Sequence, residues 1–246
     1  MTDDAAAFAA CVGAPAVFVA MPEEAQPFLD AADARSASPQ LVGGADVHAL
    51  ELDGRPVLLV RTGIGLVNAA SALGTVLELF EPSVVVSAGS AGGLRADVNV
   101  GDLVVGTRFR YTDADATAFG YAPGQVPGMP ASYAASETLM AAASTLIAAE
   151  GHALWRGEML SGGSFVTAEN VGATRETFPG ALSTDMETTA LAQVCHARGR
   201  EFLALRSISD LCGPAADQQF HLEIDTVAAI SAAAVRQLLR GLPREH

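Results

Sequence analysis

The apolar residues of this chain fall into short blocks parted by glycine- and proline-bearing turns, a pattern that predicts alternating strands and helices. PAVFVA (15–20) reads as a buried strand. Pro22 in MPEEAQPFLDAADA suits the first turn of a helix whose dipole the adjacent glutamates complement. Strand-like runs over 45–52 and 56–61 flank Asp53-Gly54, a hairpin turn signal. TGIGLVNAASALGTVLELF then leads from a glycine turn into a helix that Pro82 closes, and SVVVSAG is another buried strand. A further strand covers 99–109. Residues 111–132, interrupted by Pro123, Pro127 and Pro130, form a long turn-rich loop of the kind that serves function or a partner. The second half predicts a helix over 134–150, a strand over 153–161, a short helix over 171–178 and a strand over 181–184. A helix from Met186 to Ala197, a buried strand over 201–208, an irregular stretch and a closing helix over 224–239 complete it. With no low-complexity tract or linker, the expectation is one α/β domain over 1–246, with 1–14 a flexible N-terminal extension.

Composition narrows the classes of partner. Half of the 246 residues are hydrophobic and 17% are charged, so the chain can bury a large core. A formal net charge of −14 repels nucleic acid and anionic membrane surfaces, and neither is expected as a partner. All 14 basic residues are arginines. Cys11, Cys195 and Cys212 are odd in number and lack metal-like spacing, which argues against a disulfide framework and for a reducing compartment. The start, MTDDAAAFAACVGA, is acidic where a secretion signal is basic, and no apolar run has the length of a membrane span. These features predict a soluble, cytoplasmic protein. The five histidines make no metal-ligand spacing, so no metal is expected, and no GxSxG elbow marks a nucleophilic serine; no cofactor is expected.

Four motifs could carry chemistry, and each has a plain alternative. Gly63-Ile64-Gly65 lacks the third glycine of a dinucleotide fingerprint, Asn68 standing there, and reads better as a tight strand-to-helix turn. SAGSAGG (87–93) ends an apolar strand, where open α/β sheets place ligands, but a glycine-rich turn without a ligand fits as well. Glu187 at a helix start is either a surface residue complementing the dipole or a carboxylate for a ribose diol. Asp210, in RSISD at the end of an apolar strand, is either a helix N-cap or an acid whose pKa burial raises.

Taken together and in order, AMPEE, TGIG, GSAGG, DADATAFGY…GQVPG, SGGSF, DMETTALAQVCH and RSISD…DQQ resemble the bacterial 5′-methylthioadenosine/S-adenosylhomocysteine nucleosidases of the nucleoside phosphorylase superfamily. The resemblance runs from about residue 16 to the last helix. It implies a three-layer α/β/α phosphorylase/nucleosidase-like fold around a mixed, partly barrel-like central sheet, a homodimer and a place in methionine salvage. It assigns water activation to Glu24 and protonation of the purine at ring nitrogen 7 to Asp210. Ser90 and Arg206 would place the water, and Met186 and Glu187 the ribose. Phe165, Val166 and Ser209 would hold adenine. Met21, Ile64 and Ile224 would line the 5′ end, joined by Phe119, Tyr121 and Pro127 of the partner subunit.

The same residues choose between water and phosphate as nucleophile. Phosphorylases need cationic donors near the glycine turns. Here Glu23 and Glu24 follow the first strand and Ser87 precedes Gly89, and carboxylates repel phosphate in a closed site. Three departures from the family pattern remain. Asp185 replaces a glutamate, the 211–216 segment LCGPAA is about four residues longer than usual, and Ala116 replaces a larger aliphatic residue. They predict a shifted preference among 5′ substituents, measured by kcat/KM for methylthioadenosine, S-adenosylhomocysteine, 5′-deoxyadenosine and 6-amino-6-deoxyfutalosine. A ranking equal to that of an ordinary family member would contradict the expectation.

Overall fold

In the computed structural model, residues 3–243 are described. In chain order they form α1 (Asp3–Ala10), β1 (Ala16–Val19), α2 (Pro22–Asp30), β2 (Ala34–Arg35), β3 (Gln40–Val42), β4 (Ala45–Leu52), β5 (Arg55–Arg61), α3 (Leu66–Phe80) and β6 (Val84–Gly93). There follow β7 (Leu103–Tyr111), β8 (Tyr133–Ala134), α4 (Glu137–Ala143), β9 (Leu154–Ser161), α5 (Val171–Thr177), β10 (Ala181–Asp185), α6 (Thr188–Arg198), β11 (Glu201–Asp210) and α7 (Ala216–Gly241).

Alternation along the strands explains the layering. In β1, Ala16 and Phe18 face a core shared with α1, α3 and α6, whereas Val17 and Val19 face one shared with α2, α4 and α7. A strand apolar on both faces needs a helix layer on each side, and the result is an α/β/α sandwich. The sheet is mixed. Its order is β10-β9-β7-β11-β6-β1-β5-β4-β2, and a further pairing of β10 with β6 closes β6, β11, β7, β9 and β10 into a five-stranded ring. β1, β5, β6 and β11 are mutually parallel where they pair, so TGIG, GSAGG, RSISD and AMPEE emerge at one edge. β10 runs antiparallel to β6 with Thr184 opposite Gly92, which brings the following Asp185–Glu187 turn to the same place.

Several boundaries differ from the sequence expectation. The 1–14 segment is not a free extension over its described part: α1 packs Phe8 against Phe80 at the end of α3, ring centroids 6.1 Å apart, and Cys11 just beyond α1 is buried with its thiol 3.7 Å from Val57 O of β5. The alanines around Phe8 favour a helix, and the contact between the two aromatics docks it. The helix expected over 134–150 stops at Ala143, because the Ser144 and Thr145 hydroxyls turn back on the carbonyls of Ala141 and Ala142. The strand expected from 99 starts at Leu103: Asp102, buried, accepts bonds from Asn99 N and Trp155 Nε1 and holds a turn there. The closing helix begins eight residues early, at Ala216, and β6 runs straight through the SAGSAGG segment instead of turning. Among the described residues no helix is long and apolar enough to cross a membrane.

The packing of α1 is testable. Phe8→Ala should lower unfolding free energy by about 3 kcal/mol in denaturant titration; no change would restore the flexible extension.

Candidate active site

The strand ends meet around a cavity of about 640 Å³, counted out to its open mouth. Met21, Glu24, Ile64, Ser90, Phe165, Val166, Met186, Glu187, Arg206, Ser209 and Asp210 all line it. The structure thus brings together eleven residues drawn from six separate motifs.

Glu24 stands at the third position of α2, where a glutamate can fold back on the helix start. Its Oε2 accepts from Ala20 N at 2.8 Å and Met21 N at 3.2 Å, and its Oε1 accepts from Ser90 N at 2.8 Å and Ser90 Oγ at 2.9 Å. Four donors fix the carboxylate. Gly89, at φ +126°, makes this possible: a Cβ there would lie 2.3 Å from Glu24 Oε1.

Beside it lies an ionic cluster on a side chain 1% exposed, Arg206. Arg206 donates to Ser90 O at 3.0 Å and Ser87 Oγ at 2.9 Å. It also lies 3.5 Å from Asp185 Oδ2 and 3.4 Å from Glu187 Oε2. Burial works against its charge, yet Asp185, Glu187 and Glu24 together hold its pKa above the ordinary arginine value. Glu187 is buried, so it is no surface residue; its Oε1 accepts from Gly65 N at 2.8 Å, across the turn that TGIG provides. Burial pushes its carboxyl up to about 7 against the pull of Arg206, with Asp185 and Glu24 adding to the push. Asp185 Oδ1 meanwhile accepts from Ser161 Oγ and from the amides of Glu187 and Thr188, which fixes the turn into α6.

Asp210 occupies a separate part of the cavity. Its Oδ2 accepts from Ser209 Oγ and its Oδ1 from Cys212 N, both at 2.9 Å. The partner amide belongs to a local turn, and α7 starts six residues on, so Asp210 is not its N-cap. Burial raises its pKa, and these hydrogen bonds oppose the rise. A Cβ on Gly92 would lie 3.3 Å from Asp210 Oδ1. Glu24 is thus anchored at Gly89–Ser90 and Asp210 at Gly92 of one strand, points about 7–10 Å apart along β6.

A sequence model of the phosphorylase superfamily matches residues 15–243. The 5′-methylthioadenosine/S-adenosylhomocysteine nucleosidase of Neisseria meningitidis, in complex with methylthio-immucillin-A, is 36% identical; the match covers 94% of this chain and 100% of that one, with a TM-score of 0.87. The nucleosidase of Colwellia psychrerythraea, in complex with adenine, is 33% identical over 94% of this chain and 96% of that one, with a TM-score of 0.89. The chain belongs to the MTA/SAH nucleosidases of the phosphorylase superfamily.

Not every residue expected from that family's pattern reaches the cavity. Ile224 is half-buried on α7 but does not line it; Phe220, one turn earlier, does. Phe119, Tyr121 and Pro127 lie on the 112–132 loop away from the cavity of their own chain, Phe119 with 84% of its surface exposed. Ala116, in the same loop, is buried and does not line the cavity. Sequence reasoning missed Phe220 and Cys212. Phe220 could have been found by extending the apolar spacing of α7 backwards from Ala228 through Ile224 to Ala216. Cys212 carries no such signal. Its position follows from a left-handed backbone, φ +52°, that tucks the thiol beside Asp210; burial, then the Asp210 charge, push the thiol up to about 12.

The Glu187 shift has a sign that can be checked. The folded state keeps a proton on Glu187 between pH 4.5 and about 7 that the unfolded chain releases. That stabilisation is present at low pH and lost as pH rises through this window. Glu187→Gln cannot titrate, so its melting temperature relative to the unaltered protein should climb across the window and level off above it. A pH-independent difference would contradict the shift.

Proposed function

We propose that this protein hydrolyses the N-glycosidic bond of 5′-substituted adenosines, such as 5′-methylthioadenosine and S-adenosylhomocysteine, releasing adenine and the 5′-substituted ribose. The observation that carries the reading is the division of the cavity: a fully hydrogen-bonded Glu24 beside the Arg206 cluster, and a protonatable Asp210 apart from it. A purine leaves poorly until protonated. Asp210, with its pKa raised, gives a proton to ring nitrogen 7, and the electron pair of the breaking C–N bond flows to ring nitrogen 9. The sugar becomes oxocarbenium-like, as in glycoside hydrolysis. Water adds to the anomeric carbon and its proton passes to Glu24 Oε1, at the lone pair that the Ser90 hydroxyl frees by rotating its own proton away.

Position in the cavity supports the remaining roles. Glu187 takes the ribose hydroxyls, and Arg206 and Ser90 keep Glu24 and the water in line. Phe165, 43% exposed on the cavity wall, offers a face to adenine, with Val166 at the edge of the base and Ser209 orienting Asp210. Met186 lies against the sugar, and Met21 and Ile64 supply apolar contact for the 5′ group. Water is favoured over phosphate as nucleophile because Arg206 is the one basic residue among the described lining residues. It is already committed to Ser87, Ser90 and the carboxylates. A phosphate there would face Glu24 and Glu187 in a poorly screened site.

The exposed Phe119 supports a homodimer in which Phe119, Tyr121 and Pro127 complete the 5′ pocket of the partner subunit. Cytoplasmic methionine salvage is the setting we assign to this reaction.

Adenine release from methylthioadenosine should proceed equally with and without phosphate. Asp210→Asn and Glu24→Gln should each lower kcat by about 100- to 10,000-fold with far smaller effects on KM. Release that depends on phosphate would make the protein a phosphorylase; no release in any buffer would leave it a binder.

A further inference from the structure

The first turns of α7 present to the cavity a ring to which no role has been given. Phe220 lines the cavity and is only half-buried. Its ring lies 5.9 Å from that of Phe165, centroid to centroid, at 76°. The His221 ring also lies 5.5 Å from it, at 72°. The start of α7 is held in this pose by its neighbours. Gln219 Oε1 accepts from Leu211 N at 3.3 Å, Arg175 donates to Leu211 O at 3.3 Å, and Cys212 and Ala216 are fully buried. Phe220 is therefore aimed by a braced helix start.

Two partly bare aromatic rings on one cavity wall leave apolar area that a ligand would cover. Nearly perpendicular rings form a corner. A flat heteroaromatic lying on the face of one presents its edge to the face of the other, the arrangement that aromatic quadrupoles favour. We propose that Phe220 is a further binding residue, which with Phe165 forms an aromatic corner around the purine and takes over the wall that Ile224 does not reach. The proposal rests on the adenosine reading above and goes beyond it by assigning to α7 a direct part in holding the base.

The test measures adenine binding by calorimetric titration, alongside kcat and KM with methylthioadenosine. Phe220→Ala should weaken adenine binding and raise KM by about tenfold, with kcat changed far less. Phe220→Leu, which keeps apolar bulk and α7 packing but not the ring, should lie between Phe220→Ala and the unaltered protein. Ile224→Ala should stay within about twofold. Adenine binding within twofold of the unaltered protein for both Phe220 variants, or a larger loss in Ile224→Ala, would overturn the proposal. If the unaltered protein released no adenine while Phe220→Ala still lost adenine affinity, the proposed reaction would fail and the corner would stand. An active enzyme indifferent to Phe220 would sink the corner alone.

Discussion

The site depends on one buried cation surrounded by carboxylates. Arg206 sits on β11 with almost no solvent contact, and Asp185, Glu187 and Glu24 stand around it. Removing such charges from water is costly unless they are paired and hydrogen-bonded. One positive charge cannot balance three negative ones. The excess is relieved where the balance is worst, by the tendency of Glu187 to keep a proton and by the donors that fix the others. Glu24 has four such donors, and Asp185 Oδ1 has three. The same excess makes the pocket hostile to a second anion, which is why the proposed reaction uses water.

β6 is the rail along which this arrangement is laid. Gly89 yields its Cβ space to Glu24, Ser90 gives it two hydrogen bonds, and Gly92 leaves room for Asp210 and Cys212. β11 lies alongside in parallel register, pairing Arg206 with Gly89 and placing Asp210 opposite Gly92. The register of two strands thus fixes the separation between the points that hold Glu24 and Asp210, the two groups to which the proposed reaction gives opposite proton transfers. Closure of the ring through β10 brings Asp185 and Glu187 to the same spot.

Much of this was legible in the sequence, for identifiable reasons. Buried strands announce themselves by apolar runs such as VVV over 84–86 and FLAL over 202–205, and ordered motifs at their ends point to a ligand edge. What stayed hidden depends on long-range partners. Glu24 on local grounds is one more glutamate at a helix start; its meaning comes from Ser90 and Gly89 far along the chain. Phe8 lies in an alanine-rich opening whose partner, Phe80, ends another helix. The polar DQQ ahead of Phe220 masked the true start of α7, and with it the extra turn on the face of Ile224 from which Phe220, nearer the helix start, reaches the cavity.

The most direct measurement of the whole account is a crystal structure with adenine and a 5′-thio-substituted ribose analogue bound. The account predicts ring nitrogen 7 within hydrogen-bond distance of Asp210, the sugar hydroxyls on Glu187, and an ordered water on Glu24 facing the anomeric carbon. A base seated against Glu24 and Arg206, or a phosphate in the place of that water, would contradict it.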